Sequence, residues 1–202
     1  MKILSPFGPK IAQLKLNKSL INKINKEVDR ISSSKKLTKK YDYSKKLVGQ
    51  VKREIQLPEN FIKKYLAKKI NQSIKEFIKS TTGKTTKTIK IKNFWVVSQF
   101  SHEYNPVHYH DGHVSGVGYL KIPKFTTNKK SLTTNGTIDF INGNKMFLNN
   151  SIFNHNPKVG DVILFPNYLM HTAYPFISNG ERRSFSFNAE IDNNIANVFK
   201  NE

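Results

Sequence analysis

The residues of this 202-residue chain that could do chemistry are a few histidines and an arginine, and spacing selects among them. His108 and His110 stand two apart in Asn105-Pro-Val-His-Tyr-His-Asp111. On an extended backbone, residues i and i+2 project from the same face, so both imidazoles can reach one metal ion. His171 lies 61 residues beyond His110, past the apolar strand pattern Val162–Phe165 and the break at Pro166. Two ligands from one strand end and a third from a distant strand make a facial three-ligand site, which leaves the opposite positions open for substrate and oxygen. Asp111 would point to the other face of a regular strand, and only a bulge would bring it in. The competing reading of His108 and His110 is a histidine pair in a surface loop; for His171 it is a histidine capping a strand or helix. His102, His113 and His155 read as ordinary loop or core histidines, with His113 close enough to support the site.

Eleven residues after His171 comes Arg182-Arg-Ser-Phe-Ser-Phe-Asn188. Alternation puts Arg182, Ser184, Ser186 and Asn188 on one face and Arg183, Phe185 and Phe187 on the other. If the phenylalanines pack outward, the polar face looks into the fold. An arginine with a serine two residues on suits a carboxylate, the guanidinium as a two-pronged donor and the hydroxyl as a third. The competing use of Arg182 is a structural salt bridge with Glu181 or Glu190.

These residues need strands to hold them, and the second half of the chain supplies strand signals. Thr88–Phe100, Val114–Ile122, Thr137–Ile141, Asp161–Phe165 and Arg182–Ile191 are β-branched and aromatic runs separated by Pro, Gly and Asn. Phe94 and Trp95 read as core, and the stretch 124–156 as loops that rim a pocket and select its substrate. The first half reads as helices. In Asn17–Ser32 the residues Leu20, Ile24, Val28 and Ile31 form one stripe. Residues 32–46 read as a polar link. A second helix starts at Leu57-Pro58-Glu59, carries Ile62, Leu66, Ile70, Ile74, Phe77 and Ile78, and stops at Ser80-Thr-Thr-Gly83. The fold class expected is α+β: a jelly-roll barrel with N-terminal helices packed on its outer face. The division expected is a Lys-rich helical region over 1–86 and a β core over 87–197, together one compact unit.

Composition narrows the classes further. With no cysteine, disulfide scaffolds, thiolate metal sites and Cys nucleophiles are excluded. No apolar run is long enough to span a membrane and the first residues lack a signal-peptide pattern, so a soluble, cytoplasmic protein is expected. The formal charge of +20 invites a nucleic-acid reading, but 30 of the 34 basic residues are Lys, a pattern that AT-rich coding also produces. Residues 1–100 carry a net +19 and residues 101–202 a net +1, and all the histidines lie in the neutral half. The lysine pairs 63/64 and 68/69 fall off the apolar stripe and read as a solvated helix face, with a basic patch for nucleic acid as the alternative.

The order His-x-His, Ser-Gly-Val-x-Tyr-Leu, Gly-Asp-x-x-Leu-Phe-Pro-x-x-x-x-His and Arg-x-Ser-x-x-x-Asn resembles the 2-oxoglutarate- and Fe(II)-dependent oxygenases. The likeness runs from Trp95 to Asn188 and is nearest to the small prolyl-hydroxylase-like branch found in bacteria and phages; a phage origin would place the protein in the host cytoplasm. It implies a double-stranded β-helix of the cupin-like kind, with His108, His110 and His171 as iron ligands and Arg182 with Ser184 as the clamp on the distal carboxylate of 2-oxoglutarate. Tyr119 would assist by hydrogen bonding. The implied activity is a dioxygenase using Fe(II), 2-oxoglutarate and O2, releasing succinate and CO2, and hydroxylating an unidentified protein or small-molecule substrate, a peptidyl proline among the candidates. Most of the superfamily has His-x-Asp or His-x-Glu where this chain has His-x-His, and the nearest branch shares His-x-His. The alternatives are a non-catalytic cupin-like metal or small-molecule binding module and a Lys-rich nucleic-acid-associated protein.

Overall fold

The computed structural model describes residues 1–4, 8–126 and 134–197. The N-terminal part holds two short strands, β1 (Lys2–Leu4) and β2 (Ile11–Lys15), then helices α1 (Lys18–Ser32) and α2 (Lys35–Tyr41). Strand β3 (Arg53–Gln56) follows, and then a helix opening at α3 (Glu59–Phe61), loosening into a π-turn at Ile62–Leu66 and continuing as α4 (Ala67–Thr82). The second part is nearly all strand: β4 (Ile89–Gln99), β5 (Asn105–His108), β6 (Val114–Lys121), β7 (Ile138–Ile141), β8 (Ile152–His155), β9 (Asp161–Pro166), β10 (Met170–Ala173) and β11 (Arg182–Ile191), closed by α5 (Asn193–Ala196).

Both expected helices form, for the expected reasons. The Asn17 side chain accepts the Leu20 N–H at 2.8 Å and starts α1, whose Ile21, Ile24, Val28 and Ile31 are buried. Gly83 ends α4 at φ +73°, a left-handed conformation that a side chain would strain. The polar link expected over 32–46 is largely ordered instead. Ser34 caps α2, and a short 3-10 turn spans Ser44–Lys46. Polarity misleads here because Leu37 and Tyr41 alone suffice to lay α2 on the core. The lysines of the 63/64 and 68/69 pairs are all exposed. Among the described residues no helix is long and apolar enough to cross a membrane.

The strands form two antiparallel sheets, in the orders β1-β2-β9-β6-β11-β4-β3 and β5-β10-β7-β8. Val117, Tyr119, Ile163 and Phe165 of the large sheet pack against Ile138 and Phe140 of the small one, so the sheets face each other around an inner core. The other face of the large sheet meets the helices. There Phe94, Phe185 and Phe187 pack with Ile24, Val28, Ile74 and Phe77. This is a double-stranded β-helix buttressed by helices on one outer face. Three strands of the large sheet, β1, β2 and β3, come from the region whose sequence signals were helical.

The register explains the glycines of Ser115-Gly-Val-Gly-Tyr-Leu120. Gly116 sits beside Phe187 and Gly118 beside Phe185. A Cβ on either glycine would collide with the neighbouring phenylalanine ring. The two rings lie over β6 and stack on Phe94, with centroids 5.2 and 6.0 Å away. Gly118→Ala is therefore expected to destabilise the fold by about 1–3 kcal/mol through overpacking, and Phe187→Ala by about 3–5 kcal/mol through the cavity it leaves. Urea unfolding midpoints of the two variants against the parent check both values.

Candidate active site

His108 ends β5, and His171 lies in β10 directly across from it in register. His110 follows two residues later, beyond the end of β5. Its N–H donates to the Asn167 carbonyl at 2.9 Å and the Asn167 side chain donates back to the His110 carbonyl at 3.1 Å, which pins the residue against the turn between β9 and β10. One ligand nitrogen from each of the three rings lies within 4.8 Å of the other two. The expected histidine trio is thus assembled by strand pairing. Sequence patterning placed His171 just beyond a turn; the residue belongs to a short strand whose other side pairs with β7, His171 beside Phe140.

The chemistry of the trio fits a metal cation. The Nδ1 of His108 lies 2.7 Å from the Pro106 carbonyl and that of His171 lies 2.9 Å from the Leu169 carbonyl. A carbonyl only accepts, so each Nδ1 carries the proton and each Nε2 keeps its lone pair. Burial holds the His108 pKa low. Burial together with His108 pushes His110 down to about 3, and burial with both neighbours takes His171 well below the usual range. Three neutral imidazoles crowded together are ready to ligate. Trp95 stands edge-on to His110 at 5.7 Å, and Phe165 and Phe140 lie 4.9 and 5.8 Å from His171, an apolar collar on one side of the trio. Trp95 is thus a core residue, as expected, and also a wall of the site.

Asp111 takes no part in the cluster. It is exposed and ion-paired to Lys92 at 2.7 Å. The other histidines have structural roles. His113 Nδ1 accepts the Ile191 N–H at 3.0 Å, His155 lies 3.3 Å from the Asp161 carboxylate, and His102 occupies a turn with φ +67°.

The same cavity, about 210 Å³, is lined by Arg182, Ser184, Ser186, Asn188 and Tyr119 as well as by the three histidines. Arg182 is 2% exposed. It donates to the Gly136 carbonyl at 2.6 Å and to the Gln99 side-chain oxygen, lies over the Phe176 ring, and its Nε has no partner among the described residues. The competing salt bridges do not form. Glu181 pairs with Arg183 at 2.7 Å and Glu190 with Lys92 at 3.0 Å. Arg183, one residue on and facing outward, ties the sheet to α1 through Asp29 at 2.7 Å. Adjacent arginines on opposite faces of β11 therefore differ in kind: one has two carboxylates, and the other, fully enclosed, has none among the described residues. A buried guanidinium without a counter-ion is costly unless an anion completes it. Tyr119 stands beside Ser184 in register, and burial pushes its phenol up to about 12, so it is a neutral donor.

Three features escaped the sequence reading. Gln99 and the Gly136 carbonyl orient Arg182, and Glu54 reaches the cavity from β3. The rim is built by Lys46, Leu47, Val48, Gly49 and Tyr109. The stretch 124–156, expected to form it, contributes Ile138 among the described residues; residues 127–133 of that stretch lie outside the described residues.

A double-stranded β-helix that gathers three neutral histidines and a lone arginine at one cavity defines a class of metal-dependent protein, and comparison narrows it. Residues 93–188 match the family described as "Putative 2OG-Fe(II) oxygenase". Over those residues, just under half of the chain, the sequence is similar to the 2-oxoglutarate- and Fe(II)-dependent oxygenases. Similar solved structures include a viral collagen prolyl hydroxylase of Paramecium bursaria Chlorella virus-1 in complex with 2OG, with TM-score 0.56 and 16% identity over 89% of this chain and 94% of that one. A prolyl-4-hydroxylase of Pseudomonas putida gives 0.57 and 13% over 90% and 91%. A Trichoplax adhaerens prolyl hydroxylase, in complex with a hypoxia inducible factor peptide fragment, gives 0.60 and 11% over 95% and 87%. At these identities the likeness is one of fold. No curated protein matches the sequence.

The geometry separates His110 from Asp111 in a measurable way. His110→Ala is expected to weaken Fe(II) or Zn(II) binding by at least about 100-fold, while Asp111→Asn, which removes only a surface ion pair, changes it by no more than about threefold. Calorimetric metal titration of both variants decides the point.

Proposed function

We propose that the chain is a dioxygenase that hydroxylates an organic substrate while 2-oxoglutarate is converted to succinate and CO2. His108, His110 and His171 would hold Fe(II); Arg182 and Ser184 would hold the distal carboxylate of 2-oxoglutarate, with Tyr119 as a further donor. The observation that carries this reading is the buried Arg182, without an acidic partner among the described residues, in the cavity that the neutral histidines share. When bound, iron and 2-oxoglutarate supply the oxidising power that delivers one oxygen atom of O2 to a C–H bond.

The protein's own groups do the positioning. The carbonyls of Pro106 and Leu169 fix two histidine tautomers, and Gln99 with the Gly136 carbonyl aims the guanidinium. Phe140, Phe165 and Trp95 form an apolar collar on one side of the metal ligands. The prime substrate enters past Val48 and Tyr109, both exposed. A peptidyl side chain such as proline is one candidate, because prolyl hydroxylases are among the structures that share this fold.

The test is succinate release from 2-oxoglutarate with Fe(II) and O2. Wild type is expected to release succinate, a chelator to stop it, added Fe(II) to restore it, and His171→Ala to abolish it. Arg182→Met is expected to raise KM for 2-oxoglutarate by roughly 100-fold or more, the cost of losing one partner of a buried charge pair. Metal binding without any consumption of 2-oxoglutarate would instead identify a cupin-like binding module.

A further inference from the structure

Glu54 has no role in the site described so far, yet it lines the same cavity. In register it stands beside Val97, Val97 beside Ser184, and Ser184 beside Tyr119, so the four residues form one row across β3, β4, β11 and β6. Glu54 is 2% exposed and its Oε2 has no hydrogen-bond partner among the described residues. None of the ion pairs among the described residues includes it, in a chain with 34 basic residues. Lys46, on the same rim, lies over the Tyr43 ring instead.

The charged groups that act on Glu54 are acids, and both are held elsewhere. Asp42 accepts from the Ser44 hydroxyl at 2.8 Å, and Glu103 from the Phe100 N–H at 2.9 Å. Burial, with Asp42 and Glu103 adding to it, pushes the Glu54 carboxyl up to about 8. A carboxyl so placed keeps its proton when alone and ionises when a cation arrives, because the cation supplies the missing partner. Gly49 keeps the approach clear: a Cβ there would come within 2.7 Å of the Glu54 Oε1 and would also press on the Asn105 side chain.

We propose that Glu54 is the base of a subsite for a cationic nitrogen, and that the prime substrate places an ammonium or guanidinium group there. The apolar rim of Leu47, Val48 and Tyr109 would cover the aliphatic part of the same substrate. This deepens the oxygenase reading, on which the word substrate rests; the cation subsite itself stands on Glu54 alone.

The test uses the full chain with Zn(II) and 2-oxoglutarate bound, so that no turnover is needed. Three probes are titrated calorimetrically: the N-acetyl methylamides of lysine, arginine and norleucine. A cationic probe is expected to bind wild type at least about tenfold more tightly than the norleucine probe, and Glu54→Gln to reduce that preference to about twofold or less. Equal binding of the three, binding of none, or a preference that survives Glu54→Gln overturns the proposal. Should Glu54→Gln fail to fold, Gly49→Ala replaces it, with the same loss of preference expected. Succinate release is scored separately. Preference without succinate keeps the cation subsite and sinks the oxygenase reading; succinate without preference does the reverse.

Discussion

Strand β11 has to satisfy two environments at once, and the rest of the molecule follows from how it does so. Its period of two sends Phe185 and Phe187 into the helix-side core and Arg182, Ser184, Ser186 and Asn188 into the cavity. The phenylalanine rings need room, and glycines on β6 give it. A one-residue slip of β11 would exchange the faces, burying Arg182 among Ile24 and Phe77 and turning Phe185 toward the three histidines. The interdigitation of two rings with two glycines therefore sets the register that delivers the guanidinium to the site. Arg183 reinforces it from the other face by anchoring to Asp29 and Glu181.

Desolvation is the second organising effect, and it acts with opposite consequences on different groups. It strips the histidines of protons, which readies them as ligands, and it leaves Arg182 charged but incomplete. Two neutral acceptors, Gln99 and the Gly136 carbonyl, orient that charge without cancelling it. A carboxylate in place of Gln99 would neutralise the guanidinium and leave nothing for a ligand to gain. The formal +20 of the chain has little bearing on this balance, because the lysine pairs of the α4 region face solvent and are screened there.

What was legible in the chain follows physical lines. The helix stripes of α1 and α4 could be read because each buries one continuous face, and the long strands β4, β6 and β11 because period two persists over many residues. The strands β1, β2 and β3 could not, since short strands owe their structure to a partner, as Ile11–Lys15 does to β9. The same holds for β10, whose Met-His-Thr-Ala sequence carries no pattern of its own. Among site residues, His108, His110, His171, Arg182 and Ser184 were selected by type and spacing and Tyr119 by the family resemblance, and the structure brings all of them to one cavity. Gln99 and Glu54 were missed because their meaning lies in what surrounds them. A glutamate three residues before Leu57-Pro58 looks like any surface acid until β3 pairs with β4 and encloses it.

The division between what is shared with relatives and what is particular to this chain has a structural sense. The family match spans residues 93–188, which contain every group proposed to hold metal and 2-oxoglutarate. The part of the cavity wall built by Tyr43, Lys46–Gly49 and Glu54 lies before it. The Lys-rich region is thus more than a buttress. Its strand β3 completes the edge of the large sheet and carries the one carboxyl that, among the described residues, lines the cavity without a counter-ion. Chemistry common to a family needs a fixed core, whereas substrate choice needs a wall that can differ between members. In this chain that wall is drawn from the region outside the match, so residues 43–54 are where the prime substrate is to be sought.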